Sequence, residues 1–153
     1  MEVANHRVDR RMFLSAGAGL GLGVLLPGES AGAPTGAEQA NIKIVNEFCG
    51  AWPSHDLNKI LGFFADDGAY RMTETMEPAK GKEAMAARIK TIIDAVVRFD
   101  VLETFARGPM VINERIDYFS SGPLKSWRGV GVFFLKDGKI VEWYDYTISM
   151  ERA

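Results

Sequence analysis

Alternating residues between positions 113 and 119 could perform acid–base chemistry. With the two-residue period of a β-strand, Asn113, Arg115 and Asp117 share one face with Phe119. Neighbours on one face of a strand are roughly 6–7 Å apart, so the guanidinium of Arg115 can reach the carboxylate of Asp117. Across proteins in general, such a pattern more often forms an ordinary ion pair on a sheet face. The alternative interpretation is that Arg115 and Asp117 belong to a catalytic site.

A second acidic residue, Asp145, lies in an unusually apolar segment near the end of the chain. Trp143, Tyr144, Tyr146 and Ile148 surround it in sequence. The same alternation predicts that Trp143 and Asp145 share a face with Val141 and Thr147. A carboxylate in such a run must be exposed, paired or functional, because burying an unpaired charge is costly.

Two kinds of periodicity predict the elements that position these residues. Apolar residues at helical spacing predict helices over residues 39–52, 57–64 and 82–97. Pro53 stops the first helix, and Ser54 or Asp56 caps the second. A turn is predicted at Asp66–Gly68 and a hairpin turn at Asp137-Gly138. Strands are predicted over residues 69–75, 99–107, 110–119, 125–136 and 139–149.

Helices followed by a run of strands predict an α+β domain, in which about three N-terminal helices pack against a curved, mixed, cone-shaped β-sheet. Such a cone leaves an apolar internal cavity that can hold one small apolar molecule. Its expected lining is Trp143, Met72, Met76, Leu102 and Phe134. Core packing predicts the same residue types at these positions.

Composition limits the function classes. A chain of 153 residues with a net charge of -2 and no basic cluster predicts one domain without a nucleic-acid footprint. The single cysteine, Cys49, excludes an internal disulfide. Only His55 lies beyond the N-terminal segment, so no multi-histidine metal site is expected there.

The N-terminal segment resembles a twin-arginine export signal. Arg10-Arg11 precedes a short apolar run over residues 16–26, and small residues follow over 30–37. We therefore predict a signal over 1–37 and a mature domain over 38–153. The protein would be periplasmic or extracellular, without stable membrane association after signal removal. An uncleaved anchor and a flexible tail are the alternatives.

From about residue 42 to 148 the chain resembles the limonene-1,2-epoxide hydrolase family, within the nuclear-transport-factor-2-like (NTF2-like), SnoaL-like superfamily. Three stretches carry the resemblance: the turn-to-tyrosine segment Phe63–Tyr70, the Glu-Arg-x-Asp strand Glu114–Asp117, and Gly138–Ile140 with Trp143–Tyr146. The second and third together are fairly specific, because they supply both acids and the arginine.

The resemblance implies a cofactor-independent epoxide hydrolase, working as a homodimer, that adds water to a small apolar epoxide to give a vicinal diol. By motif, Asp145 would be the general base, Asp117 the general acid and Arg115 the bridge between them. Tyr70 would help to hold the water. The chain departs from the family at Met72, where the family has a water-binding asparagine.

Four other functions are alternatives to epoxide hydrolysis. A ketosteroid-isomerase-like enzyme would need polar groups where Met72 and Phe48 stand, and a superfamily dehydratase would need a histidine pair where the domain has only His55. A non-catalytic protein that binds a small apolar ligand remains the main alternative, and Met72 favours it. A pure interaction domain would have no ligand-sized cavity.

Overall fold

The computed structural model describes residues 32–153, so the predicted export signal lies almost entirely outside the described residues. Within them the chain forms three α-helices and six β-strands. The elements are α1 Gly36–Ala51, α2 Leu57–Leu61, β1 Phe64–Arg71, β2 Ala79–Lys80, α3 Lys82–Ile89, β3 Val96–Arg107, β4 Met110–Phe119, β5 Leu124–Lys136 and β6 Lys139–Arg152. None of the helices described is long and apolar enough to cross a membrane.

The six strands form one curved, unclosed sheet in the order β2-β1-β6-β5-β4-β3. All neighbouring strands are antiparallel except β1 and β6, which run parallel. The sheet is therefore mixed, and its inner face shares one apolar core with the helices. This architecture confirms the predicted α+β class.

Helix α1 covers the part of the sheet that carries the candidate residues. It begins with a capping box, in which Thr35 and Glu38 each accept a hydrogen bond from the other's backbone N–H. Such a cap is worth about 1 kcal/mol. The buried face of α1 includes Phe48, whose ring meets the ring of Trp143 edge to face at 4.9 Å. The helix thus closes the core directly over β6.

Several predicted bounds were wrong. The second helix was expected to reach residue 64, but α2 ends at Leu61 and Phe64 begins β1. The third helix was expected to reach residue 97, but α3 ends at Ile89 and β3 begins at Val96. The β-branched side chains of Val96 and Val97 favour a strand over a further helical turn. The turn expected at Asp66–Gly68 is instead an irregularity inside β1, where pairing with β6 shifts between Phe64 and Ala69.

The predicted hairpin between the last two strands is confirmed. Asp137 and Gly138 have φ values of 51° and 75°, as a two-residue turn with both central residues left-handed requires. Strand β4 pairs with β5 without interruption from Met110 to Tyr118. This regular register keeps alternate residues of β4 on the inner face and sets the geometry of the candidate site.

Candidate active site

Arg115 bridges two buried carboxylates. Its Nε atom donates to Oδ1 of Asp117 at 3.0 Å. Its Nη2 atom donates to both carboxylate oxygens of Asp145, at 3.0 and 3.1 Å. The three residues are only 1%, 5% and 3% exposed, in the order Arg115, Asp117, Asp145. One cation therefore serves two acids in a site from which water is largely excluded.

The bridge spans three strands, because Arg115 lies on β4, Asp145 lies on β6 and β5 runs between them. Gly131 of β5 pairs directly with Asp145 and makes room for the guanidinium. A Cβ atom at Gly131 would lie 2.6 Å from Nη1 of Arg115. The absence of a side chain at this position therefore allows the arginine to cross the strand.

A second glycine of β5 has a related role. A Cβ atom at Gly129 would lie 2.1 Å from the indole ring of Trp127. The centroid of that ring is 5.1 Å from Cζ of Arg115. Phe99 at 5.0 Å and Trp143 at 5.4 Å complete an aromatic enclosure of the guanidinium. Gly129, Gly131, Phe99 and Trp127 were not predicted to belong to the site. The two glycines at alternate positions of one strand were the available signal.

Burial shifts the acids toward the neutral form. It raises the pKa of Asp117 to about 7, with Arg115 opposing the rise and Asp145 adding to it. Burial also raises the pKa of Asp145 to about 6, against the lowering effect of Arg115. For Arg115, burial alone would lower the pKa, but the two acids raise it above its ordinary value. Near neutral pH the pair thus holds about one proton beside a permanent cation.

The two carboxylates are not equivalent. Asp117 accepts one hydrogen bond, from Nε of Arg115. Asp145 accepts from Nη2 of Arg115 and also from the indole Nε1 of Trp143, at 2.8 Å. Hydrogen bonds to a charged carboxylate favour ionisation, so Asp145 is the acid that gives up its proton first. The proton that remains lies on Asp117.

The bridged acids form part of the lining of a cavity of about 300 Å³. Met72 and Trp143 line it as predicted, Tyr70 also lies in the lining, and most of the other lining side chains are apolar. The ring of Tyr70 stacks on that of Trp143, with centroids 3.9 Å apart and planes 11° apart. The structure therefore places the four predicted catalytic residues in one cavity, while their catalytic roles stay predictions.

Three residues expected in the cavity lining lie elsewhere. Met76 follows the end of β1 and is 39% exposed. Leu102 lies at an irregularity in the pairing of β3 with β4 and is 48% exposed. Phe134 falls on the outer face of β5, because its neighbour Phe133 points into the core. Met76, Leu102 and Phe134 are therefore corrections to the predicted lining.

The carboxylates of the site are committed to Arg115 and are not gathered around an ion position. Among residues 32–153, no group of three or more histidine, cysteine, aspartate or glutamate side chains is arranged to hold a metal ion.

Solved structures of known proteins share this fold. A solved structure of a Mycobacterium tuberculosis epoxide hydrolase of the limonene-epoxide-hydrolase-like type shares 26% identity and a TM-score of 0.63, over 72% of this chain and 84% of that one. A candidate polyketide cyclase from Xanthomonas campestris pv. campestris is 20% identical to this chain, with a TM-score of 0.60, over 72% of this chain and 91% of that one.

A protein of ketosteroid-isomerase-like fold from Catenulispora acidiphila, solved with trimethylamine, shares 18% identity and a TM-score of 0.59, over 70% of this chain and 87% of that one. At this identity, the second and third structures bear on the fold alone. The family described as the SnoaL-like domain matches residues 45–143. That match covers most of the chain, and the protein therefore belongs to the SnoaL-like domain family.

Proposed function

We propose that this protein is a cofactor-independent epoxide hydrolase that adds water to a small apolar epoxide and releases a vicinal diol. The observation that carries the proposal is the buried arginine bridge between Asp117 and Asp145 in the lining of a mainly apolar cavity. Epoxide opening needs a proton donor for the ring oxygen and a base for the attacking water. The asymmetric pair supplies one of each.

In this mechanism, Asp145 accepts a proton from water as the water oxygen forms a bond to one epoxide carbon. The carbon–oxygen bond at that carbon breaks, and Asp117 gives its proton to the departing oxygen. Arg115 holds both carboxylates in place and stabilises the charge that moves between them. One proton then returns from Asp145 to Asp117, which restores the resting state.

The alternative is a non-catalytic protein that binds a small apolar molecule. Met72 lines the cavity at the position where the related hydrolases have an asparagine, and a thioether cannot both donate to and accept from water. In that case Asp117, Arg115 and Asp145 would be the polar part of the cavity lining, and the cavity would bind a ligand without converting it to a product.

The deciding experiment is a turnover assay on a panel of terpene, cyclic and aromatic epoxides in heavy-oxygen water. We expect a diol with one solvent oxygen, already labelled in a single turnover, because water attacks directly and no ester to an aspartate forms. The matched control is Asp145→Asn, prepared in parallel. If no epoxide is turned over while apolar ligands bind in the cavity, the hydrolase proposal is lost and the binding function takes its place.

Restoring the amide at position 72 is a milder test of the same site. We expect Met72→Asn to raise kcat about fivefold, since one added hydrogen bond to the attacking water is worth about 1 kcal/mol. Met72→Leu is the control, because it keeps the apolar volume without a polar group. Steady-state kinetics on the best epoxide of the panel measure both. Equal rates for the two variants would show that another group already holds the water.

We also propose a homodimer formed through the outer face of the sheet. Phe105 and Tyr146 are each more than 40% exposed. They pair with Ile112 and Val130, which alternate with the inward-facing residues of β4 and β5 and therefore lie on the outer face. Exposed apolar residues grouped on one surface mark interaction sites. Light scattering of the purified protein tests this, and a monomer at high concentration would contradict it.

Export is proposed from the sequence alone, on the arginine pair ahead of the apolar run. N-terminal sequencing of the protein recovered from the periplasm tests it. A mature terminus near residue 38 is expected, and an intact N-terminus in the cytoplasm would contradict it.

A further inference from the structure

Trp143 contacts the candidate base through its polar atom as well as its ring. Its indole Nε1 donates to Oδ1 of Asp145 at 2.8 Å. Both residues point inward from β6 and are 1% and 3% exposed, respectively. A hydrogen bond from a neutral donor to a buried carboxylate is strong, because little water competes for either group.

The indole ring is held so firmly that its N–H keeps one direction. On one side the ring of Tyr70 stacks on it at 3.9 Å. The ring of Phe133 lies nearly parallel to it at 5.6 Å, and that of Phe48 meets it edge to face at 4.9 Å. Rotation of Trp143 would disrupt all three contacts, so the position of its donor is fixed before any ligand binds.

The donors around Asp145 are distributed unequally between its oxygens. Oδ1 accepts from Nη2 of Arg115 and from Trp143, whereas Oδ2 accepts only from Nη2 of Arg115, at 3.1 Å. Oδ2 therefore keeps a free lone pair. We propose that Trp143 is a positioning residue whose indole N–H occupies Oδ1 of Asp145, so that Asp145 holds the negative charge of the pair and Oδ2 is the atom that takes a proton from water.

The other groups near Asp145 do not account for the unequal hydrogen bonding of its two oxygens. The titratable and charged groups whose charge bears on it are Arg115 and Asp117 from β4, Tyr70 and Arg71 from β1, and Cys49 from α1. Burial raises the pKa of Cys49 to about 12 and that of Tyr70 above its ordinary value, so both are neutral. Arg115 is shared with Asp117. The charge of Arg71 also lowers the pKa of Asp145, but Arg71 forms no hydrogen bond to that carboxylate. Trp143 is thus the hydrogen-bond donor that distinguishes Asp145 from Asp117.

The first test is Trp143→Phe, which keeps an aromatic ring in the stack and removes the donor. The acid limb of the kcat/KM profile should move up by about half to one pH unit, because the ionised form of Asp145 loses one hydrogen bond. The matched control is Trp127→Phe, because the indole of Trp127 donates to the Thr147 hydroxyl at 3.0 Å and not to a carboxylate. This control variant should change KM without moving the acid limb of the kcat/KM profile. An unmoved limb in Trp143→Phe overturns the proposal.

The second test needs no core substitution and no turnover. The chain has three indoles in three settings: Trp143 donates to a carboxylate, Trp127 donates to a hydroxyl, and Trp52 is buried with no partner for its Nε1 among the described residues. In an NMR pH titration of the wild-type protein, the Trp143 N–H should lie furthest downfield and shift with the Asp145 carboxyl carbon.

The catalytic part of the inference rests on the proposed function, but the two can fail separately. A titrating Trp143 N–H in a protein that opens no epoxide would retain the positioning role and reject the hydrolase. An N–H of Trp143 that does not respond between about pH 5 and about pH 8 would reject the positioning role, whatever the turnover assay shows.

Discussion

Arg115→Met is expected to lower the free energy of unfolding by about 3–5 kcal/mol near pH 8, because it leaves two buried acids without their counter-ion. The loss should shrink toward pH 4. Burial raises the pKa of Asp117 to about 7 and that of Asp145 to about 6, so the folded protein keeps protons that the unfolded chain has already released. Stability from these groups is present below about pH 4 and is lost as the pH rises through those two values.

Without Arg115 both carboxyl pKa values rise further, so the stability loss continues to higher pH than in the wild type. Urea unfolding followed by tryptophan fluorescence at about pH 5 and about pH 8 measures the difference. The matched control is Arg128→Met, which removes a half-exposed arginine paired with Glu114 at 2.5 Å. Exposed pairs contribute about 0–1 kcal/mol, so this control should be nearly neutral at both pH values.

A triple replacement separates stability from function. Changing Arg115 to Met and both aspartates to Leu removes the uncompensated charges together. Buried ion clusters replaced by apolar residues often lose no stability, so the triple variant should recover most of what Arg115→Met loses. Such recovery would indicate that the cluster is kept for its chemistry. A triple variant as unstable as the single one would instead assign the cluster a packing role.

The sequence predicted the inward-facing residues of β4 well because that strand is regular. Arg115 and Asp117 follow a strict two-residue period, and their pairing with β5 contains no bulge. On β6 the period breaks: the pairing with β5 shifts between Phe134 and Leu135, and Ile140 is buried where Val141 was expected to face inward. A register shift of one residue moves every side chain beyond it to the opposite face of the sheet. The local sequence pattern of β6 contains no signal that predicts such a shift.

Contacts between distant elements could not be predicted from sequence. The parallel pairing of β1 with β6 brings Tyr70 beside Trp143, which are far apart in the chain. The hydrogen bond from Trp143 to Asp145 depends on that stack, so Trp143 could be expected only as a cavity wall. Leu102 was misplaced for a similar reason, because a bulge in β3 turns it outward.

Each aspartate is expected to control one side of the pH profile for epoxide hydrolysis. The active form has Asp145 ionised and Asp117 protonated. The rate should therefore rise as the lower pKa of the pair, about 6, is passed and fall above the higher one, about 7. These values belong to the coupled pair, so kcat/KM should describe a narrow bell with its maximum between them.

Asp145→Asn and Asp117→Asn should each lower kcat by about 10²–10⁴-fold, the usual contribution of a general acid or base. The residual rates should differ in their pH dependence. Asp145→Asn removes the base and should abolish the acid limb. Asp117→Asn removes the acid and should abolish the alkaline limb, and epoxides with better leaving oxygens should suffer less from it. If both variants lost the same limb, one aspartate would be serving only to hold Arg115, and the assignment of base and acid to Asp145 and Asp117 would be wrong.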